Sequence, residues 1–544
     1  MKGKRYLVSA KEMKQYDENT ITWFKMPPPV LMERAALAVV CEIEKKFHPG
    51  SRVLIAAGCG NNGGDGIAVG RILLQRGYMV TVLLAGDREK CSAETERQIG
   101  ILEKYGCPVQ SKTERWEYDI IVDALFGTGL SRKIEGGPAG IVARMNESGA
   151  FVCAVDIPSG ICADTGEIMG TAVKADMTVT FAFEKRGHIL YPGCGYTGTL
   201  VCADIGITKE SFMGTEPEVY AYRQPVWELM PDRTPDGNKG TFGKVLVIAG
   251  SINMSGACEL CARSVYRMGA GMVKIITAEE NREIVQRNIP EAMFGTRLSD
   301  RDMEWADCIV IGPGIGRSET SAELLRQVLT KSEKPLVIDA DGLNLLAESE
   351  ELRGYLERAG EGKLTGEGEW AGEGKLTGEG ERAGEGKLTG EGKPAGGEVW
   401  RPVILTPHLG EFVRLYGCTV AEARRDLLTK PKELADRYHC IVVCKDARTA
   451  AASWRDTQVY LNTTGNDGMA TAGMGDVLAG MIGGLLSQGM EPEQAAALGV
   501  YAHGAAGDRA AQKKGRYALM AGDVIAQLEK ITDARTAERF GLQK

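Results

Sequence analysis

Short apolar runs alternate with helical patterns along most of the chain, and this alternation predicts its architecture. In the first half, apolar runs at residues 51–57, 79–84 and 119–124 are each followed by a segment with apolar residues at helical spacing. Strands that alternate with helices indicate a parallel, doubly wound sheet whose ligand site lies at the carboxyl ends of the strands. We therefore expect a Rossmann-like α/β domain over residues 1–215.

The same rhythm begins again near residue 241. Residues 216–239 contain four prolines and few periodic apolar residues, which is typical of a linker. Beyond this linker, apolar runs at 308–311 and 336–339 end in the glycine-containing stretches GPGIGR and DADGLNLL. The pattern predicts a second α/β domain over residues 240–544, so that the fold class is two three-layer αβα domains.

A repeat of twelve residues interrupts the second domain. The copies AGEGKLTGEGEW, AGEGKLTGEGER and AGEGKLTGEGKP follow one another from residue 359, within a low-complexity segment at 359–397. Each copy is rich in glycine and contains a single leucine, which is too little apolar surface to offset the entropy lost on ordering. We expect a disordered Gly/Glu-rich insertion that the flanking elements tolerate.

Composition excludes several classes of protein. The 544 residues are 43% hydrophobic and 25% charged, which is typical of a soluble globular protein. A formal net charge of −8 without a basic run argues against nucleic-acid binding. The N-terminal residues lack the apolar core of a signal peptide, and no apolar run approaches the ~20 residues of a membrane-spanning helix. We expect a cytoplasmic protein with neither nucleic-acid nor membrane partners.

The 14 cysteines are scattered and are expected to be free thiols. Cys258 and Cys261 form a CxxC, but they lie in a helical pattern without a second pair. We expect them to pack in the core rather than to bind a metal or carry redox chemistry.

The stretch 465–480, GNDGMATAGMGDVLAG, has five glycines between a polar strand and an apolar helical run. Each glycine costs roughly 1 kcal/mol in a helix, so a packing role alone does not account for them. Their backbone N–H groups can bind an anion at a helix N-terminus. Asp476 in this turn suits a base that takes a proton from a hydroxyl during phosphoryl transfer. The alternative is that Asp476 is an ordinary N-cap.

Three polar loops follow strands of the first domain, at 58–66, 123–133 and 156–160. The first contains a GxGxxG pattern, and Asp87 lies roughly where a dinucleotide fold has its ribose-binding acid. A dehydrogenase is nevertheless disfavoured, because Asp65 would crowd a pyrophosphate and the pattern alone is weak.

The same three loops offer oxygen ligands. Asn62, Asp123 and Ser159 are hard ligands that suit a weakly held cation. The alternative is that Asp123 and Asp156 only accept turn hydrogen bonds at strand ends, which is a common role for aspartate. Three polar loops on one rim favour a site.

The motif NNGGDG at 61–66, with VDALFGTGL and VDIPSG behind it, resembles the NAD(P)H-hydrate epimerase domain of the YjeF N-terminal family over residues 1–215. The resemblance implies a potassium ion on Asn62, Asp123 and Ser159. It also implies contacts with hydrated NAD(P)H, and Asp156 is our candidate acid/base at the hydroxylated nicotinamide carbon, with Asp65 as the competing choice. The implied substrate contacts are Asn61, Asn62, Gly63, Gly64, Asp65, Gly127, Thr128, Gly129, Leu130, Ser131, Arg132, Lys133 and Asp156.

Five ordered motifs in the second half, from GKVLVIAGS with SGA through GPGIG, DADGLN and TPHLGE to GNDGMATAGMGDVLAG, resemble the ADP-dependent NAD(P)H-hydrate dehydratase, which has a ribokinase-like fold. The resemblance covers roughly residues 225–535 apart from the repeat. The implied substrate contacts are Ala257, Gly314, Gly316, His408 and Asp476. The implied nucleotide contacts are Lys445, Asp446, Ala447, Arg448, Thr449, Gly473 and Gly475.

His408, Met474 and Asp446 differ from the other implied contacts. A histidine such as His408 is more often structural than a ligand, although TPHLGE at the end of a strand favours a substrate role. Met474 stands where the family pattern has a small residue, and Asp446 stands where glycine is usual. A bulky side chain and a negative charge are both expected to affect the affinity for the nucleotide.

The two resemblances together imply a bifunctional repair enzyme. We expect the first domain to interconvert the R and S forms of hydrated NADH and NADPH, and the second to dehydrate the S form with ADP to NAD(P)H, AMP and phosphate. Potassium in the first domain, magnesium in the second and a homo-oligomeric assembly are also expected. One alternative is a small-molecule kinase for a vitamin precursor, fused to a ligand-binding domain. A second alternative is that the first domain is only a binding scaffold for RNA or protein.

Overall fold

The computed structural model describes residues 3–360 and 401–533, and it divides the chain into two compact units. The first unit comprises Met1–Gln224 with Arg424–Leu427 and Thr457–Thr463, and the second comprises the remaining residues. Both units are α/β, so the predicted fold class is confirmed. Most of the predicted insertion at 359–397 lies outside the described residues.

The first unit is built around a sheet of seven strands in the order β4-β3-β2-β5-β6-β7-β9, in which every pair is parallel. Strand β1 pairs with β10 in an antiparallel and with β8 in a parallel orientation. The strands are β1 (Lys4–Val8), β2 (Arg52–Ala57), β3 (Met79–Leu84), β4 (Val109–Gln110), β5 (Ile120–Ala124), β6 (Phe151–Val155), β7 (Met177–Phe181), β8 (Glu184–Lys185), β9 (Thr199–Ala203) and β10 (Val219–Tyr222). The helices are α1 (Ala10–Thr22), α2 (Pro28–Glu44), α3 (Asn61–Gln75), α4 (Ala93–Lys104) and α5 (Gly136–Glu147).

Chain order in this sheet reverses between β2 and β5, because β2 pairs with β3 on one side and with β5 on the other. A reversal of this kind opens a crevice at the carboxyl ends of the strands. The loops after β2, β5 and β6 therefore meet at one edge of the sheet. Strand β10 lies within residues 216–239, where the sequence suggests a linker.

The second unit has a sheet in the order β13-β12-β11-β14-β15-β16-β17-β18, parallel except for the last pair. Its strands are β11 (Lys244–Ile248), β12 (Met272–Ile276), β13 (Met293–Gly295), β14 (Cys308–Ile311), β15 (Leu336–Ile338), β16 (Val403–Leu405), β17 (Ile441–Cys444) and β18 (Ala450–Ser453). A later strand, β19 (Val459–Leu461), belongs to the first unit and pairs with β10.

Twelve further helices are described in the rest of the chain, up to residue 533. They are α6 (Ser255–Arg267), α7 (Arg282–Asn288), α8 (Asp300–Trp305), α9 (Glu319–Lys331), α10 (Asp341–Glu348), α11 (Glu350–Gly360), α12 (Leu409–Tyr416), α13 (Val420–Arg425), α14 (Lys430–Tyr438), α15 (Met474–Ser487), α16 (Pro492–Lys514) and α17 (Ala521–Ile531). None of the helices in the described ranges is long and apolar enough to cross a membrane.

Helix α15 is the glycine-rich helix, and its glycines allow close packing. A methyl group on Gly480 would lie 2.2 Å from the carbonyl oxygen of Cys261 in α6. Cys258 and Cys261 are fully buried in α6, as expected for packing cysteines. Among the described residues, no group of three or more His, Cys, Asp or Glu side chains is placed to hold a metal. Gly480 and Gly484 in the helix body are therefore explained by close packing against α6 and its C-terminal end, and Gly483 by close packing against Val310 of β14.

Candidate active sites

The first candidate site begins at the N-terminus of α3. This helix starts at Asn61, so most of the stretch predicted as a loop at 58–66 is in fact the first two turns of a helix. The reason is close packing: a side chain at Gly63 would meet the carbonyl oxygen of Gly58 at 1.8 Å, and glycine lets the helix begin directly against the strand end. Asn62 is packed against Gly127: a Cβ atom added to Gly127 would lie 3.1 Å from the side-chain oxygen of Asn62.

Asp123 and Ser159 meet behind these residues, at the ends of β5 and β6. The carboxylate of Asp123 accepts hydrogen bonds from the Ser159 hydroxyl at 2.6 Å and from the Ser159 N–H at 2.7 Å. Both side chains are fully buried, and burial raises the pKa of Asp123 to about 6 in spite of these hydrogen bonds. The structure thus brings together two of the three expected cation ligands.

The third expected ligand, Asn62, has a buried amide nitrogen without a hydrogen-bond partner in the described part of the chain. The nitrogen and oxygen of such an amide are assigned from their partners, so an unpartnered amide can equally present its oxygen. A buried carboxylate, a hydroxyl and an unpartnered amide fit a cation with oxygen ligands.

Asp156 lies at the end of β6 in a strained conformation. Its φ is +66°, and the N–H of Ile157 donates to the carbonyl of Val155 at 2.8 Å across it, which forms a γ-turn. Strain of this kind in a residue other than glycine is concentrated at functional sites. The Asp156 carboxylate forms an ion pair with Lys185, whose side chain is 1% exposed.

Lys185 was not singled out in the sequence. It lies in the short strand β8, four residues after the end of the buried strand β7, and the one available signal was a lysine in the stretch FEKRGH close behind that strand. Burial raises the pKa of Asp156, but the charge and hydrogen bond of Lys185 lower it more, so that the pKa lies below its ordinary value. Asp156 is therefore an anion at neutral pH.

The pKa of Asp65 is shifted in the direction opposite to that of Asp156. Burial, and then the charges of Asp156 and Asp17, raise the pKa of Asp65 well above its ordinary value. Two carboxyl groups whose pKa values are moved apart are typical of an acid and base pair. The structure therefore brings Asp65 and Asp156, the two competing candidates for the acid/base, into one electrostatic cluster.

The loop after β5 approaches the site at Gly127, which packs against Asn62. The N–H of Leu130 donates to the carbonyl of Gly127 at 3.3 Å, and Thr128 lies in the turn between them. Gly129, Ser131, Arg132 and Lys133 are exposed, and no described hydrogen bond joins them to Asp156.

The second candidate site lies around Asp339, which follows β15 and is 1% exposed. Its Oδ1 accepts from Lys445 Nζ at 2.6 Å and from Thr406 Oγ1 at 2.8 Å. The next residue, Ala340, has a φ of +48°, which turns the chain so that Asp341 faces a neighbouring loop. Asp341 accepts from the N–H of Gly316 at 2.9 Å. Asp339 and Asp341 were not singled out in the sequence.

Asp476 lies in the first turn of α15 beside this group. The N-cap of that helix is Gly473, with a φ of +88°, so the alternative of Asp476 as an N-cap is wrong. Gly475 approaches the cluster closely, because a Cβ there would lie 3.1 Å from Lys445 Nζ and 3.3 Å from Asp339 Oδ2. Burial, and then the charge of Asp339, raise the pKa of Asp476 to about 6.

Lys445 is the cation of the cluster. Burial lowers its pKa, but the charges of Asp339 and Glu411 outweigh burial, so that its pKa lies above the ordinary value. It opens the loop between β17 and β18, which contains the expected nucleotide contacts Lys445–Thr449. The N–H of Lys445 donates to the carbonyl of Pro407 at 2.7 Å, next to His408. Asp446 and Arg448 lie partly buried in this loop, and Ala447 is exposed.

His408 is the N-cap of α12. Its Nδ1 accepts from the N–H of Gly410 at 2.9 Å, and the N–H of His408 donates to Glu411 Oε2 at 2.8 Å. Burial raises the pKa of Glu411 to about 7. His408 therefore has a structural role, and its Nε2 lies 3.3 Å from Glu411 Oε1.

The remaining expected substrate contacts lie at the start of α6 and in the loop after β14. A Cβ on Gly314, which has a φ of +62°, would be 2.9 Å from the Cβ of Ala257. Met474 is 6% exposed, so its side chain is directed into the core. The structure thus places Ala257 next to Gly314, and Gly316 next to Asp341. It places Gly475 and Asp476 beside the group formed by Asp339, Lys445 and Thr406.

Two α/β units that each gather ionisable side chains at the carboxyl ends of a parallel sheet define an enzyme with two small-molecule sites. Family models described as "YjeF-related protein N-terminus" and "NAD(P)H-hydrate dehydratase" match residues 29–187 and residues 245–368 with 397–530, respectively. The chain belongs to the family of bifunctional NAD(P)H-hydrate repair enzymes.

The bifunctional NAD(P)H-hydrate repair enzyme Nnr of Moorella thermoacetica is 37% identical, over 96% of this chain and 95% of its own length. The enzyme of the same name from Coxiella burnetii is 34% identical, over 92% and 94%. Among solved structures, the ADP/ATP-dependent NAD(P)H-hydrate dehydratase of Bacillus subtilis, co-crystallised with ATP and Mg²⁺, is 27% identical. It covers 58% of this chain and 96% of its own length, with a TM-score of 0.44.

Proposed function

We propose that the chain repairs hydrated NADH and NADPH with an epimerase in its first unit and an ADP-dependent dehydratase in its second. The observation that carries this proposal is the alignment of relatives named as bifunctional repair enzymes over nearly the full chain, 96% of it for M. thermoacetica. A small-molecule kinase is less well supported, because the family model that matches its half is that of a dehydratase.

The two activities depend on each other. Water that adds to a ring double bond of reduced nicotinamide leaves a hydroxyl on a carbon that has two epimers. A dehydratase site is chiral and processes one of them, the S form. Epimerisation in the first unit supplies the S form from the R form, so that both are returned to NAD(P)H.

In the second unit, Asp476 acts as the general base on the ring hydroxyl. Its pKa of about 6 leaves it ionised at neutral pH and basic enough to accept the proton. The hydroxyl oxygen attacks the terminal phosphate of ADP, and the N–H groups at the start of α15 stabilise the charge that develops there. Phosphate then leaves the ring carbon while the neighbouring ring carbon loses a proton to solvent, so that a C=C bond forms, the dihydropyridine is restored and AMP remains.

The substrate and the nucleotide bind to the groups around Asp476. Ala257, Gly314, Gly316 and His408 contact the nicotinamide nucleotide, and the loop Lys445–Thr449 with Gly473 and Gly475 contacts ADP. Magnesium would neutralise charge on the nucleotide phosphates. The described residues contain no group of three or more His, Cys, Asp or Glu side chains placed to bind it.

In the first unit, Asp156 is the acid/base at the hydroxylated carbon, and the residues 61–65 and 127–133 hold the substrate. Asn62, Asp123 and Ser159 would hold a potassium ion, whose charge balances the buried carboxylate of Asp123. The small, charged substrates suit a cytoplasmic enzyme, and the homo-oligomer stays a prediction from the sequence.

The test follows NADPH absorbance after purified protein is mixed with both epimers of hydrated NADPH, ADP and magnesium. Wild type should restore all of the NADPH, and Asp476→Asn should restore none. Asp156→Asn should stop or slow markedly once the S form is consumed. If wild type restores no NADPH with either ADP or ATP, the proposal is wrong, and a screen of small alcohols as phosphoryl acceptors would test the kinase alternative.

A further inference from the structure

Lys185 holds one of the most deeply buried charges in the described part of the first unit. Its side chain is 1% exposed, and Nζ contacts the Asp156 carboxylate. The same ammonium donates to Thr180 Oγ1 at 2.8 Å and lies 3.3 Å from the carbonyl oxygen of Phe181. All three of its N–H groups thus have acceptors. Because a buried charge is costly unless it is fully paired, this arrangement fixes the ammonium at one position.

The segment that carries Lys185 also holds the backbone of Asp156. His188 donates from Nε2 to the carbonyl oxygen of Asp156 at 2.9 Å, and its Nδ1 accepts from the Lys185 N–H at 3.1 Å. Burial lowers the pKa of His188 to about 3, so the ring is neutral and this tautomer is fixed. Lys185 and His188 together hold the side chain and the strained γ-turn of Asp156 from one side.

The other charged groups around Asp156 do not replace Lys185. Neither Asp65 nor Asp17 supplies a positive charge, and His188 is neutral. The titratable and charged groups that act on Asp156 or on its two partners are Lys185, His188, Asp65, Asp17, Arg5 and Cys202. Lys185 is the cation in direct contact with the carboxylate, so the ionised form of Asp156 depends on it.

We propose that Lys185 is a positioning residue of the epimerase site, which keeps Asp156 as the base while Asp65 serves as the acid. This inference rests on the proposed epimerase function. Asp65 donates its proton as the C–O bond of the ring hydroxyl breaks, so that water leaves and the ring nitrogen supplies the electron pair of a C=N bond. A water molecule then adds to the opposite face, a new C–O bond forms, and Asp156 accepts the proton. Exchange with solvent returns the two carboxyl groups to their starting states.

The assignment explains why two neighbouring carboxyl groups are useful here. Inversion at the carbon requires one group that gives a proton on one face and another that takes a proton on the other face. Two aspartates in the same ionisation state could not do both. The ion pair with Lys185 gives Asp156 an ionisation state different from that of Asp65.

The test compares Lys185→Met and Lys185→Arg with wild type in the full-length protein, and dehydration of the pure S form serves as the control for folding and substrate quality. Lys185→Met should lower kcat of epimerisation by roughly 100-fold, while KM changes much less. The acidic limb of its pH profile should move to higher pH by about one unit or more, because burial of Asp156 is no longer offset. Lys185→Arg should recover part of the rate and return the limb toward wild type.

Two further variants separate this role from a structural one. Arg71→Met removes another nearly buried cation of the same unit, paired with Glu33, and should leave the pH profile unchanged. Asp65→Asn should remove the basic limb that reports the acid. The inference is wrong if wild type epimerises and Lys185→Met retains its rate, or loses it with an unshifted profile. If wild type does not epimerise at all, the proposed function of the first unit fails instead.

Discussion

Lys445 Nζ lies 2.6 Å from Asp339 Oδ1, and this buried ion pair stands directly beside the N-terminus of α15. Asp339 is separated from Lys445 by 106 residues and is 1% exposed. The pair places a cation between two carboxylates, since the charge of Asp476 also acts on Lys445. Asp339 therefore has two effects on the site: it orients the cation that would meet a phosphate, and its own charge raises the pKa of Asp476.

We expect Asp339→Asn to move the acidic limb of the dehydratase pH profile to lower pH. A general base works only when it is ionised, so wild-type kcat/KM should rise with pH through about 6, the pKa of Asp476. The charge of Asp339 raises this pKa, and its removal lets Asp476 ionise at a lower pH. The measurement is kcat/KM for the S form between pH 5 and pH 9, with the ADP concentration saturating. A limb that stays in place or moves to higher pH would contradict the assignment of Asp476 as base.

Gly475→Ala should impair dehydration while epimerisation continues. A methyl group there would be 3.1 Å from Lys445 Nζ and 3.3 Å from Asp339 Oδ2, so the ion pair or the helix start must shift. Because a displacement of ~1 Å in a catalytic group costs up to roughly 100-fold, we expect a loss of that size in kcat/KM for ADP.

The control for this variant is Gly522→Ala in α17, where a Cβ would meet no atom within 4 Å. It makes the same chemical change in a helix of the same unit and should leave both activities at the wild-type level. Equal losses in the two variants would show that the effect of Gly475→Ala is a general helix effect and not a change at the site.

His408 can be tested with two substitutions that treat the helix cap differently. His408→Ala removes the acceptor for the first N–H groups of α12 and should cost about 1 kcal/mol of stability. His408→Asn supplies another good N-cap, so its melting temperature should stay near that of wild type. If His408 also contacts the substrate, both variants should raise KM for the S form. A KM that is unchanged in His408→Asn would leave His408 with the structural role alone.

The sequence predicted the alternation of strands and helices, and it selected Asp476 and Asp156, because glycine-rich and polar stretches at strand ends are local signals. It did not predict Asp339 or Lys185. Their roles depend on contacts with Lys445, 106 residues away, and with Asp156, 29 residues away, which no local pattern encodes. The start of α3 at Asn61 was missed for a similar reason, since glycines that usually mark a loop are required there by close packing against β2.

Potassium should bind to the first unit through Asp123, and its binding should be visible apart from activity. A cation that binds only the folded unit stabilises it in proportion to the logarithm of its concentration, so KCl should raise the melting temperature above that in N-methylglucamine chloride of equal ionic strength. Epimerisation should rise with KCl as well. Asp123→Asn and Ser159→Ala should lose both responses, because they remove the buried carboxylate charge and the hydroxyl that meet at 2.6 Å. Asp119→Asn changes an exposed carboxylate just before β5 and should keep both responses. An equal shift with both salts in wild type would exclude a potassium site here and leave the Asp123–Ser159 pair as a structural link between β5 and β6.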